Sequence, residues 1–198
     1  METISPLSAV KMDIEKTVSN ISESEWNEVG VNITEMTVKK NRIILKQSEI
    51  CREVLCIVDG IAASEHVVDE KNIIVRFFQK GEFCTNVISA MTATTGAHNI
   101  ISLTPLQAVS IPFELFMELY HKPSVIGQYI REKIMQTIFE DAAIISAKTI
   151  CTSETLDQLL RDNYPEIISR VSDRYIAQFI GITPETYSRM QKRRHERS

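Results

Sequence analysis

The stretch Arg174-Tyr175-Ile176-Ala177-Gln178-Phe179-Ile180-Gly181-Ile182-Thr183-Pro184-Glu185-Thr186-Tyr187-Ser188-Arg189-Met190 reads as two short helices joined by a tight turn, a helix-turn-helix leading into a basic run. Ala177 is small where a second helix must cross closely, and Gly181, four residues later, supplies the permissive backbone of the turn. Thr183 is placed to cap the second helix, and Pro184 takes its first position, where a missing N–H is harmless. Ile176, Ile180, Ile182, Tyr187 and Met190 are expected to fill the wedge between the helices, which leaves Glu185, Thr186, Ser188 and Arg189 pointing outward.

That outward set suits a reader of the DNA major groove, since Arg can donate two hydrogen bonds to guanine O6 and N7 while Glu accepts from cytosine N4. Gln191, Lys192, Arg193, Arg194 and Arg197 are expected nearer the phosphates. The candidate DNA contacts are therefore Thr183, Glu185, Thr186, Ser188, Arg189, Lys192, Arg193 and Arg194, on a helix spanning 184–194. The competing reading is a polar helical hairpin with a basic tail.

At about 100 to 200 residues per domain, a chain of 198 residues holds one large domain or a medium one plus a small one, and the second fits better. The 43% apolar and 24% charged residues are those of a globular protein with ample core. A net charge of −4 argues against indiscriminate coating of nucleic acid, yet positive charge gathers at the C-terminus, where the candidate reader lies. Cys51, Cys56, Cys84 and Cys151 form no CxxC pair, so neither a zinc ribbon nor a disulfide framework is suggested and reduced structural thiols are expected. No stretch approaches the roughly 18 apolar residues of a membrane span, and Met1 to Lys16 lacks a signal-peptide layout. A cytoplasmic protein without membrane partners is expected.

Residues 1–28 are polar, with weak apolar spacing at Val10, Ile14, Val18 and Ile21 that could support an amphipathic helix, and read as an N-terminal arm. Residues 29–120 read as a β-roll effector-like domain whose texture is β from Val31 to about Phe113: short apolar runs at Arg42 to Leu45, Val54 to Val58, Ile73 to Phe78 and Ala108 to Ile111, bounded by turn signals. Asp59-Gly60 reads as a hairpin and Lys80-Gly81-Glu82 as another turn, so a sandwich, jelly roll or small barrel is expected. The helical period begins at Phe113 to Tyr120 and continues in a long helix within 121–150. Its stripe of Ile130, Ile134, Ile138, Ala142 and Ile145 is expected to pair with a second copy of the chain. Residues 151–198 form a small all-helical unit: a helix opening at Thr152-Ser153-Glu154 and broken at Asn163-Tyr164-Pro165, a short helix to Val171, then the turn motif capped by Ser172 or Asp173.

The fold class is thus α+β: an N-terminal β-roll, a long dimerisation helix and a C-terminal helix-turn-helix domain. That order resembles the Crp/Fnr family of bacterial transcription regulators over nearly the whole chain, and Ile176 to Arg189 is similar to the family's "IA-x-x-LGIT-PET-x-SR" form. The resemblance implies a cyclic-nucleotide-binding-like β-roll, a homodimer on a palindromic duplex site, and Glu185 and Arg189 as readers of each half-site. It also allows RNA polymerase as a further partner. Pro184 stands where the catabolite-activator branch has an Arg, and the sequence stops at Ser198 without the β wing of many members, so phosphate contacts are expected from Lys192, Arg193, Arg194 and Arg197.

Cyclic-nucleotide-binding members carry a Gly-Glu pair and then an Arg-Ser or Arg-Thr pair that holds the cyclic phosphate. Gly81-Glu82 looks like the first, but the stretch expected to hold the second, Thr95-Gly96-Ala97-His98-Asn99, offers no Arg. Without a cationic partner the phosphate forgoes charge-assisted hydrogen bonds of about 1.5 to 3 kcal/mol each. Cyclic AMP is therefore expected not to bind with useful affinity, and Gly81, Glu82 and His98 are candidates for the pocket of a different, unknown small-molecule effector, with ordinary turn roles as the alternative. Cysteines placed no earlier than Cys51 do not fit an N-terminal iron–sulfur cluster, nothing in the spacing singles out His66 or His98 for haem, and no cofactor is expected. An enzyme of cupin type would need clustered histidines, whereas His66, His98, His121 and His195 are widely separated, with no phosphate-binding loop, nucleophile elbow or HExxH helix. Neither a metal site nor an enzyme is expected. The competing class is a protein-interaction or small-molecule-sensing module whose C-terminal helices do not read DNA.

Overall fold

Short apolar runs alternating with turn residues cannot bury themselves singly, and here they pair into two antiparallel sheets that face each other. The computed structural model describes residues 4–69 and 71–196. The chain opens with α1 (Pro6–Thr17) and α2 (Glu23–Gly30), followed by β1 (Thr34–Val38), β2 (Ile43–Leu45), β3 (Glu53–Asp59), β4 (Ala62–Val68), β5 (Lys71–Phe78), β6 (Phe83–Cys84), α3 (Val87–Thr92), β7 (Asn99–Ser102) and β8 (Leu106–Pro112). Six further helices complete it: α4 (Phe113–His121), α5 (Val125–Ile150), α6 (Ser153–Asn163), α7 (Pro165–Arg170), α8 (Asp173–Ile180) and α9 (Pro184–His195). One sheet has the order β1-β8-β3-β6, the other β2-β7-β4-β5. Leu55, Ile57, Phe78, Ile100, Leu106 and Ala108 close the space between them, so the β domain is a two-sheet roll.

The hairpin expected at Asp59-Gly60 is not one. β3 and β4 lie in different sheets, and Gly60, at φ +97°, turns the chain from one sheet into the other. A Cβ there would stand 2.3 Å from the Pro105 carbonyl oxygen, so the corner requires glycine. The hairpin is the next connection, where β4 and β5 pair from Ala62 with Phe78 to Val68 with Lys71.

Residues 4–28, within the segment read as an N-terminal arm, pack on the roll and α5. Ser5 caps α1, accepting from the Ser8 N–H at 3.2 Å, and Val10 and Ile14 are buried with Val54, Val109 and Tyr129. The Tyr129 hydroxyl donates to Asp13 at 2.6 Å, fixing α1 across both the roll and α5. Glu25 of α2 accepts from the backbone N–H of Ile126 at 3.2 Å, satisfying one of the orphan donors where α5 begins.

At 1.5 Å per residue, the 26 residues of α5 extend about 39 Å, with Ser124 as N-cap. The stripe expected to meet a second copy is corrected here. Ile130 is buried within its own protomer and Ile134 packs beside it on the roll, whereas Ile138, Ala142 and Ile145 face outward. The cause is arithmetic: steps of four residues advance each side chain by about 40° around the helix, so a 130-134-138-142 series winds from one side to the other. The outward apolar row is Met135, Ile138, Ala142 and Ile145, spaced three, four and three, with the exposed Phe139 beside it.

After α5 the chain folds back. α8 lies on β5, where Phe179 stacks on Phe77 with ring centroids 4.9 Å apart, and the Lys148 ammonium sits 3.7 Å from the Phe179 ring centre while donating to the carbonyls of Ile74 and Val75. Burial in this junction pulls the Lys148 pKa down to about 8.

Candidate functional site

The sequence Thr183-Pro184-Glu185-Thr186 starts α9 as its chemistry dictates: the Thr183 hydroxyl accepts from the Thr186 N–H at 3.2 Å, and Pro184 follows. Gly181 closes α8 at φ +85°, and its N–H bonds to the Ala177 carbonyl at 2.9 Å. Ala177 is fully buried where the helices cross, with Ile176, Tyr187 and Met190 buried around it and Ile180 and Ile182 half-buried. Glu185, Thr186, Ser188, Arg189, Lys192 and Arg193 are all exposed along one side of α9. Glu185 is held below the usual carboxylate range, first by its own backbone N–H at the helix start, then by the Thr183 hydroxyl and the Arg189 charge.

Arg194 departs from the expected set. Its guanidinium turns inward to Asp157 and Gln158 of α6 rather than standing beside Lys192 and Arg193. Asp157 is 2% exposed and also accepts from Arg161 at 2.9 Å, from the Tyr187 hydroxyl at 2.8 Å and from Gln191 at 3.3 Å. One buried carboxylate therefore ties α6 to the inner side of α9 and sets which side faces out. Sequence reading passed over Asp157; the available signal was its i,i+4 spacing to Arg161 beside the buried Leu156 and Leu160. Arg197 lies outside the described residues.

The three residues proposed from sequence for an effector pocket do not converge. A cavity of about 690 Å³ opens between the roll, α3 and α5, and of the three only His98 lines it. Gly81 lies in a shallow depression beside Lys133 and Pro165, and Glu82 belongs to a small gap against Leu160 and Phe179. The charged residues on the cavity wall are Arg76 and Asp141, paired with each other at 2.8 Å, and Arg76 also reaches Glu82 at 3.3 Å. His66 and His98, separate in sequence, stand edge to face with ring centroids 5.3 Å apart, and burial, followed by His66, lowers the His98 pKa. Among the described residues no three His, Cys, Asp or Glu side chains gather as a metal-binding group. Cys51, Cys56 and Cys84 are buried free thiols, and burial pushes Cys56 up to about 12. No helix among the described residues is long and apolar enough to cross a membrane.

Burial lifts the Glu82 pKa to about 7, against the opposing pull of Arg76 and with a further push from Glu140. The folded chain thus holds this proton more tightly than the unfolded chain, so the stability it contributes is full below about pH 4.5 and is lost as pH rises through 7. Replacing Glu82 by Gln should flatten the stability profile between pH 5 and 8 by about 3 kcal/mol relative to the parent. Urea unfolding at a series of pH values measures the difference, and parallel profiles would refute it.

A two-sheet roll is followed here by a long helix and a small helical unit. The family model of the cyclic nucleotide-binding domain matches residues 35–122. The fold as a whole is the Crp/Fnr regulator fold. It is similar to the c-di-GMP responsive global regulator CLP of Xanthomonas campestris (16% identity, TM-score 0.64, covering 84% of this chain and 88% of that one). A Crp/Fnr-family transcriptional regulator from Eubacterium rectale gives 18% identity and TM-score 0.63 over 87% and 82% of the two chains. A CooA mutant from Carboxydothermus hydrogenoformans gives 10% identity and TM-score 0.67 over 94% and 84%. No curated protein matches the chain in sequence.

Proposed function

We propose that the chain is a sequence-specific DNA-binding transcription regulator that acts as a homodimer. The observation that carries this reading is the division of α9 into two sides: Tyr187 and Met190 anchored inside, and Glu185, Thr186, Ser188 and Arg189 exposed. Glu185 and Arg189 are four residues apart on one solvent-facing stripe, a spacing that lets one helix offer an acceptor and a bidentate donor to adjacent base edges. Lys192 and Arg193 lie one turn further on and suit phosphates. Support for the dimer comes from the outward row of Met135, Ile138, Ala142 and Ile145, whose alternating three and four spacing is that of a two-helix seam. A two-fold pairing along α5 would present two α9 helices to successive major grooves about 34 Å apart.

The test is Arg189→Ala against a bound duplex. Fluorescence anisotropy should show a loss of about 1 to 3 kcal/mol, with discrimination relaxed at one base position of each half-site. The same substitution leaving both affinity and base preference unchanged would remove α9 as the reader and favour a protein-interaction role for these helices.

A further inference from the structure

We propose that the cavity between the roll, α3 and α5 takes an uncharged, predominantly apolar small molecule, and that it rejects anionic ligands, cyclic nucleotides among them. A volume of about 690 Å³ lies in the range of about 300 to 1,000 Å³ that holds drug-sized ligands. Its walls are aromatic and aliphatic: Phe78 and Phe83 from the roll, Phe116 from α4, Ile134 and Ile138 from α5. An anion entering such a space must find a cation to replace its hydration shell. Arg76 is already committed, because it meets Asp141 at 2.8 Å and Glu82 at 3.3 Å, and its guanidinium lies 4.8 Å from the centre of the Phe78 ring. Asp141 alone offsets the guanidinium charge and Glu82 occupies a further N–H, so the site holds no surplus positive charge. His98 adds none near neutral pH, its proton being disfavoured by burial and by His66. The hydroxyls of Ser64, Thr85 and Thr137 remain as hydrogen-bonding groups for a neutral polar tip.

The occupied cavity would act on the long helix, because Ile134, Thr137, Ile138 and Asp141 form its α5 wall, and Ile138, half-exposed at the cavity edge, also belongs to the outward row. Filling the cavity would therefore bias how α5 meets its partner, by no more than the ligand's differential affinity for the two arrangements.

The test uses two probes that share one ring system. N-phenyl-1-naphthylamine is neutral, and 8-anilinonaphthalene-1-sulfonate carries the same rings with a sulfonate. On the full chain the neutral probe should saturate at one per protomer and bind at least about tenfold more tightly than the sulfonate. Thr137→Trp and Val75→Trp, both filling the cavity from half-exposed positions, should each weaken the neutral probe about tenfold or more with melting unchanged. The double variant Glu82→Gln/Asp141→Asn releases Arg76 and should narrow the discrimination to about threefold or less. Equal or tighter binding of the sulfonate by the parent chain, displacement of the neutral probe by micromolar cyclic AMP, or indifference to both tryptophan variants would overturn the proposal. No step of this assay involves DNA, so its failure leaves the reading of α9 standing.

Discussion

Asp157→Ala is expected to lower the stability of the chain by about 3 kcal/mol and its melting temperature by about 6 to 12 °C. The carboxylate receives Arg161, Tyr187, Gln191 and Arg194 at once, and at 2% exposure water cannot take its place. Removing a buried ionic acceptor typically costs about 3 to 5 kcal/mol. The lower end applies here because Arg161 and Arg194, whose side chains are 28% and 33% exposed, can swing toward solvent. The Tyr187 hydroxyl loses the acceptor for its proton and keeps only the donation from Arg161 at 3.2 Å. Asp157→Asn keeps one acceptor oxygen and should cost about half as much. Thermal unfolding of the three proteins ranks them, and identical melting of Asp157→Ala and the parent would mean that apolar packing alone, Leu160 on Tyr187 and Met190, holds α9 in place. Because the same network orients α9, loss of DNA binding by Asp157→Ala should exceed what its stability loss explains.

The second large effect is expected at the α5 seam. Phe139 and Ile145 are 67% and 66% exposed and stand outside the lining of the cavity of about 690 Å³, so their replacement leaves the protomer core intact. In a two-fold pairing each residue is buried twice, and each buried side chain of this size contributes about 1.5 to 3 kcal/mol. Phe139→Glu/Ile145→Glu removes that burial and adds four like charges to the seam. The variant is expected to sediment as a monomer at micromolar concentration with melting close to that of a monomeric parent, and to bind a duplex with two half-sites at least about 100-fold more weakly, since the second reader is no longer delivered at high local concentration. Sedimentation analysis of parent and variant decides it; a monomeric parent, or a variant that remains dimeric, would move the interface elsewhere.

What the sequence made legible was local. Val54 to Val58 and Ile73 to Phe78 are short apolar runs rich in β-branched and aromatic residues, and both lie within strands, β3 and β5. Thr152 and Thr183, read as helix starts, each accept from a backbone N–H three residues on, whereas Ser172 stands in front of α8 without a side-chain cap bond. What stayed hidden depends on partners distant in the chain. Asp59-Gly60 has the composition of a hairpin, and only the close carbonyl of Pro105 makes it a corner between sheets. The α5 stripe looked continuous because apolar residues occur all around that helix, one side meeting the roll and the other facing outward. Arg76 reads as an ordinary charge in a strand until α5 and the Gly81 turn bring Asp141 and Glu82 to it. The two-sided build of α9 was the easiest part to see, since its anchors, its cap and its exposed stripe all lie within the 17 residues from Arg174 to Met190.

The central claim, sequence-specific reading by paired α9 helices, is tested most directly by selecting bound sequences from a random duplex pool with the purified full chain at low salt, in parallel with Arg189→Ala. The account predicts an enriched inverted repeat with half-site centres about 10 base pairs apart, and loss of preference at one position per half-site in the variant. No enrichment by the parent chain, or the same motif recovered unchanged by Arg189→Ala, would contradict it.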